Sequence, residues 1–168
     1  MMPQSHTSLS CYTTCPRQYE AKYVTKEVKF EPTEATIWGD FVHRALENYV
    51  KDGTPLPSNV QMYHVWGDAV RRRAGKKIVE GSLAVTKALQ PCRFFDKDAW
   101  LRAKLDVLIL RGDEADILDY KTGKRKDNVE QLRRYALLVL INYPEVQRVR
   151  CGFIWLRDGV LTKPSVFE

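Results

Sequence analysis

Residues 100–124 read Trp-Leu-Arg-Ala-Lys-Leu-Asp-Val-Leu-Ile-Leu, then Arg-Gly-Asp-Glu, then Ala-Asp-Ile-Leu-Asp-Tyr-Lys-Thr-Gly-Lys. Two apolar runs around a Gly/Asp/Glu turn predict a β-hairpin. A turn centred on Gly112 and Asp113 sets Asp106 directly across from Asp119. Period-two alternation then puts Ile117, Asp119 and Lys121 on one face, with Asp106 beside them. Carboxylates about 5 Å apart would repel by roughly 3 kcal/mol at an intermediate dielectric. A divalent cation between them reverses that sign, and Lys121 is placed to reach a water beside it, an arrangement suited to hydrolysis. The same residues also fit a strand-edge Asp106 with a solvated Asp119–Lys121 pair, and a one-residue slip in register separates the aspartates.

Outward from the hairpin, the rest of the chain alternates helical and extended patterns. Residues 8–24 carry Leu9, Tyr12, Cys15, Tyr19 and Tyr23 at helical spacing, with Pro16 suited to the first turn of a second helical piece. Residues 25–36 read as a link. Residues 37–51 predict a helix with Trp38, Val42, Ala45, Leu46 and Tyr49 inward, and 61–75 a second with Met62, Val65, Trp66, Ala69 and Val70 inward. A strand follows over 77–86, bulged at Gly81. After the hairpin, 129–143 predicts a helix stopped by Pro144, then strands over 149–156 and 160–163. The expected class is α/β, a mixed sheet with helices packed on it.

The 168 residues, 44% hydrophobic and 29% charged, suit one domain with a real core. No apolar run approaches a membrane span, and the first residues lack a signal-peptide pattern, so a cytoplasmic address is expected by default. The net charge of +6 and the basic clusters at 71–77, 121–126 and 133–134 favour a polyanionic partner. Cys11, Cys15, Cys92 and Cys151 make no disulfide framework, and Cys11 and Cys15 are spaced to share a helix face.

Three further candidates accompany the hairpin. His43 lies off the apolar stripe of its helix, either bonded to Glu47 one turn on or serving as a third metal ligand. Gln131 and Tyr135 share one helix face, where Gln131 also fits an Asn128 N-cap unless Asp127 and Glu130 form the capping box. Glu80 projects from the strand beside the hairpin as a surface residue or an outer carboxylate. Thr122-Gly123-Lys124 lacks the earlier glycine of a P-loop, which excludes a nucleoside-triphosphate site. No zinc or Ser-His-Asp spacing is visible, and His6 and His64 show no partner.

In their order, Ser8-Leu-Ser…Cys15-Pro-Arg…Tyr19, Gly39-Asp-Phe-Val-His43-Arg-Ala-Leu-Glu47, Lys104-Leu-Asp106, Ile117-Leu-Asp119-Tyr-Lys121-Thr-Gly123 and Gln131-Leu-Arg-Arg-Tyr135 resemble the RecB-like branch of the PD-(D/E)XK nucleases, which includes CRISPR-associated RecB-like exonucleases. The resemblance implies a restriction-endonuclease-like core in one domain, 1–168, with a mainly helical part (1–75) and a sheet-and-helix catalytic part (76–168). It implies that His43, Asp106, Asp119 and the Tyr120 carbonyl hold Mg²⁺ or Mn²⁺, with Asp106, Asp119 and Lys121 catalytic. Gln131, Tyr135, Lys124 and Arg17 would position DNA, with Glu80 in a lesser role. The implied reaction is exonucleolytic hydrolysis of DNA phosphodiesters in recombination, repair or phage DNA processing, on linear ends and with a protein partner or helicase, in a bacterial or phage-infected cytoplasm. A DNA-end or partner-binding module and an endonuclease of the same superfamily are the alternatives. Leu105 replaces the motif's proline. Cys15 matches the first cysteine of the iron–sulfur relatives, but their C-terminal trio is missing, so no 4Fe–4S cluster is expected. The chain stops at Glu168, where many relatives continue into another helix. A fragment, a compact phage-type version and a partner-completed protein all fit.

Overall fold

The computed structural model describes residues 2–126 and 128–168. The hairpin forms as expected. Strands β3 (Ala99–Arg111) and β4 (Glu114–Lys121) pair antiparallel from Arg111↔Glu114 to Val107↔Leu118. That register, carried one residue further, sets Asp106 opposite Asp119. Gly112 takes φ +58° in the turn, a backbone state that glycine adopts without a Cβ clash. On the other side of β3 lies β1 (Lys76–Thr86), also antiparallel, with the short β2 (Pro91–Cys92) at its edge.

Helix α5 (Val129–Asn142) crosses over to β5 (Arg148–Trp155), which runs parallel to β4. Strands β6 (Val160–Leu161) and β7 (Ser165–Phe167) both pair with β5. The path through the mixed sheet is β2-β1-β3-β4-β5-β6. The sequence pattern missed β2 and β7, whose two and three residues show no period, whereas the equally short β6 falls within the strand expected over 160–163.

Two apolar layers sandwich this sheet. Leu132, Ala136 and Val139 of α5 pack on Leu105, Leu108, Ile117 and Val149. On the opposite face, α3 (Glu34–Asp52) and α4 (His64–Arg72) cover Val107, Ile109, Leu118 and Ile154 with Val42, Leu46 and Val70. Burial of each such aliphatic side chain stabilises the fold by roughly 1.5–3 kcal/mol. The inward row of α3 is Val42, Leu46 and Val50; Trp38 is instead exposed and stacks on Phe41 at 5.8 Å. Met62 and Val65 also face outward, because a 3-10 turn (Ser58–Tyr63) precedes α4 and rotates the expected stripe. Gly67 takes the contact with α3. A Cβ there would stand 2.5 Å from Tyr49 Cδ1, so only glycine permits this approach.

The bulge expected at Gly81 is absent. Gly81 pairs in register with Leu105, the register shift falls between Val85 and Thr86, and the unusual residue is Glu80, at φ +54°. Around the Glu80–Asp106 level the strands exchange faces. Leu101, Ala103 and Leu105 join the α5-side layer, whereas beyond Asp106 it is Leu108 and Leu110, with Val107 and Ile109 turned to α3.

At the N-terminus, α1 (His6–Thr14) and α2 (Pro16–Tyr19) meet at Cys15, with Pro16 at the first position of α2 and a π-helical turn (Glu20–Val24) after it. Cys15 is extended, so it does not share a helix face with Cys11. Gln4 bonds to Trp100 and Arg102 through its backbone, pinning this segment to the edge of β3.

Candidate active site

His43 projects from α3, Asp106 from the irregular level of β3, and Glu80 from β1. One ligand atom from each lies within 4.8 Å of the others. His43 Nδ1 stands 3.1 Å from Asp106 Oδ1, so its partner is this aspartate and not Glu47. The other Asp106 oxygen accepts the Tyr120 backbone N–H at 2.7 Å, where the ladder hydrogen bonds between β3 and β4 have ended. Glu80 also pairs with Lys104 at 2.9 Å. These side chains line a cleft of about 520 Å³ that reaches Gly39, Glu47 and Thr122.

Asp119 and Lys121 sit beside this trio on the last residues of β4. Lys121 Nζ lies 2.6 Å from Asp119 Oδ2 and donates to Gln131 Oε1 at 3.1 Å. Gln131 Nε2 donates to Asp119 Oδ1 at 3.3 Å and to the Tyr135 hydroxyl at 2.6 Å. Asn128 caps α5 by accepting the Gln131 backbone N–H, which leaves the glutamine amide free for the strand. The alternative cap through Asp127 lies outside the described residues. Gln131 and Tyr135 are buried, so their polar atoms face Asp119 and Lys121 rather than solvent.

Burial and the charge of Asp106 push the Asp119 carboxyl up to about 6, against the opposing pull of Lys121. Burial acts to lower His43, but its hydrogen bond to Asp106 and the two carboxylate charges outweigh it and leave the imidazole raised. Burial, reinforced by nearby carboxylates, also raises the Tyr120 and Tyr135 hydroxyls, which stay neutral. Two carboxylates, Asp106 and Asp119, therefore act on each other where water is scarce. Asp119 Oδ2 has the Lys121 ammonium as its partner. Carboxylate oxygens with one imidazole are a donor set that suits a hard divalent cation such as Mg²⁺ or Mn²⁺.

A family model described as the PD-(D/E)XK nuclease superfamily matches residues 3–167. The chain belongs to the PD-(D/E)XK nuclease superfamily. No curated protein matches it. As a PD-(D/E)XK nuclease it has the mixed sheet flanked by helices of a restriction-endonuclease-like core, and its family acts on DNA with divalent metals.

The PD-(D/E)XK core brings His43, Asp106, Asp119, Lys121, Gln131 and Tyr135 to one end of the sheet, with Glu80 among them. Lys124 is exposed on the loop after β4, and Arg17 is exposed on α2. Most of the basic clusters serve the nuclease fold itself. Arg73 pairs with Asp116, Arg71 lies over the Tyr49 ring, Arg133 pairs with Glu130, and Arg134 meets His6. His6 and His64 do have partners: His6 lies between Asn128 and Arg134, and His64 Nδ1 meets the Gln61 carbonyl. Sequence reasoning gave no role to Lys104, Asp116 or His6: Lys104 and His6 meet partners 24 and 122 residues away, and Asp116 meets Arg150 and Arg73, 34 and 43 residues away. Among the described residues, no helix is long and apolar enough to cross a membrane.

Proposed function

We propose that this nuclease is a RecB-like exonuclease that hydrolyses DNA from the ends of linear molecules with Mg²⁺ or Mn²⁺. The observation that supports this reading best is the Gln131 amide, which bridges Asp119, Lys121 and Tyr135 beside the His43–Asp106 pair. His43, Asp106, Asp119 and the Tyr120 carbonyl would hold the cation, with Glu80 within reach from β1. A cation held there would offset the two carboxylates and polarise the scissile phosphate. Lys121 Nζ orients the attacking water and meets the charge that develops on the phosphoryl oxygens. Gln131 and Tyr135 fix Lys121 and Asp119 in that geometry. Lys124 and Arg17, both exposed, meet the DNA backbone by charge alone.

The reading places one domain, 1–168, in recombination, repair or phage DNA processing in the cytoplasm, alongside a helicase or similar partner. Digestion of end-labelled linear and closed circular DNA tests it. Linear DNA is expected to shorten from its ends with Mg²⁺ or Mn²⁺, circular DNA to survive, and Asp119→Ala and Lys121→Ala to be inactive. Nicking of circular DNA would make the protein an endonuclease, and full activity of Lys121→Ala would overturn the assigned chemistry.

A further inference from the structure

Away from the candidate cleft, three arginines converge on one buried carboxylate. Asp116 precedes Asp119 on β4 by three residues, so it lies about 10 Å back along the strand and on the other face of the sheet. Its side chain is 8% exposed. Asp116 Oδ1 accepts from Arg150 Nε at 2.9 Å and from Arg111 Nη2 at 3.1 Å, and Oδ2 accepts from Arg73 Nη1 at 3.4 Å. The guanidiniums come from β5, the end of β3 and the residue that follows α4.

Charge balance distinguishes this cluster from a simple structural ion pair. Three guanidiniums surround one carboxylate, an excess of two positive charges. Glu114 offsets part of that at the rim, at 3.3 Å from Arg150 and 3.6 Å from Arg111, but it is shared with Arg148 at 3.7 Å. Arg111 Nε is buried with no hydrogen-bond partner. Beside the cluster lies a pocket of about 410 Å³, walled by the same three arginines with Leu118, Leu161 and Pro164. Its lining shares no residue with the candidate cleft.

We propose that this pocket binds a phosphate group on the Arg73–Arg111–Arg150 fork, with the flat body of a nucleotide against the Leu118, Leu161 and Pro164 wall. Asp116 acts as a positioning residue that holds the three guanidiniums in one concave array. Planar forks of N–H donors match phosphate oxygens, and part of their desolvation has already occurred. The volume suits a mononucleotide. The phosphate can come from a free nucleotide or from a DNA strand running behind the sheet. No divalent cation is needed, so the proposal stands apart from the function assigned to the cleft.

Titration calorimetry on the full chain in EDTA tests it, with inorganic phosphate, a deoxynucleoside 5′-monophosphate and a short single-stranded oligonucleotide as probes. Saturable binding of at least one probe is expected. Arg73→Gln should weaken it about tenfold or more, while Lys121→Ala leaves the phosphate and mononucleotide affinities unchanged. Binding of the mononucleotide identifies a free nucleotide as sufficient, whereas binding of the oligonucleotide alone, sensitive to Arg73→Gln, identifies a strand. Thermal melting of the wild-type chain, which needs no variant to fold, supplies an independent reading. Millimolar phosphate, too dilute to act as a generally excluded salt, should raise the melting temperature in a saturable way and more than chloride at matched ionic strength. No binding by any probe, equal affinity in Arg73→Gln, or equal protection by the two salts would overturn the proposal and leave the cluster a brace between strands.

Discussion

The His43 imidazole and the Asp106 carboxylate, 63 residues apart in the chain, meet at 3.1 Å where α3 passes over β3. If both are ligands, His43→Ala removes one donor and leaves Asp106 its bond from the Tyr120 N–H. Mn²⁺ affinity measured by calorimetry should then fall at least about tenfold. Unchanged affinity would assign His43 to packing alone.

Gln131 bonds at once to Asp119, Lys121 and Tyr135 within a buried setting. Gln131→Leu removes one hydrogen bond from each of the three, while Asp119 and Lys121 keep their ion pair, which should cost about 1–3 kcal/mol in urea denaturation. Because the glutamine orients Lys121 instead of facing solvent, turnover is expected to fall about tenfold or more with KM little changed. A change confined to KM would place its role in DNA binding.

Asp119 is buried beside the charge of Asp106, a placement that a cation relieves. Mg²⁺ or Mn²⁺ at a hundredfold excess over its dissociation constant should stabilise the wild-type chain by about 2.7 kcal/mol, visible as a raised melting temperature. Sodium chloride at matched ionic strength should not reproduce this. Asp119→Asn removes a buried like-charge contact together with the Lys121 ion pair, and should abolish the cation response measured against the variant's own cation-free melting temperature. A full response in that variant would show that the cation binds elsewhere.

His6 is pushed down to about 4 by partial burial, with the charges of Arg134 and Lys121 acting in the same direction. Between pH 6.5 and about 4 the unfolded chain therefore binds more protons at this site than the folded one. Its contribution is fully present above pH 6.5 and is lost as the pH falls toward 4. Discounted for the half-exposed ring, the loss should be about 1 kcal/mol. Urea denaturation across this range should show a shallower slope for His6→Gln; parallel slopes would refute the assignment.

The hairpin register was legible in the sequence because strand alternation and a Gly112 turn leave few ways to bury Val107, Leu108, Ile117 and Leu118. Helix α5 was legible for the same reason, with Leu132, Tyr135, Ala136 and Val139 inward as its period required. The facing of α3 and α4 was less so. Trp38, Met62 and Val65 are apolar at helical spacing yet exposed, because the 3-10 turn before α4 and the Gly67–Tyr49 contact set rotations that spacing alone does not encode. Strands of two or three residues carry no period, so β2 and β7 went unread, and β6 was marked only within a longer expected strand over 160–163.

The sequence by itself determined local order: which segments are helical or extended, and that Asp106, Asp119 and Lys121 gather at one end of a hairpin. These follow from periodicity and turn chemistry acting over a few residues. Only the tertiary structure decided that His43 meets Asp106, that Glu80 leaves the regular backbone to join them, and that Arg73 and Arg150 join Arg111 around Asp116. Those contacts depend on how whole elements pack across the sheet, and side-chain partners separated by tens of residues leave no local pattern.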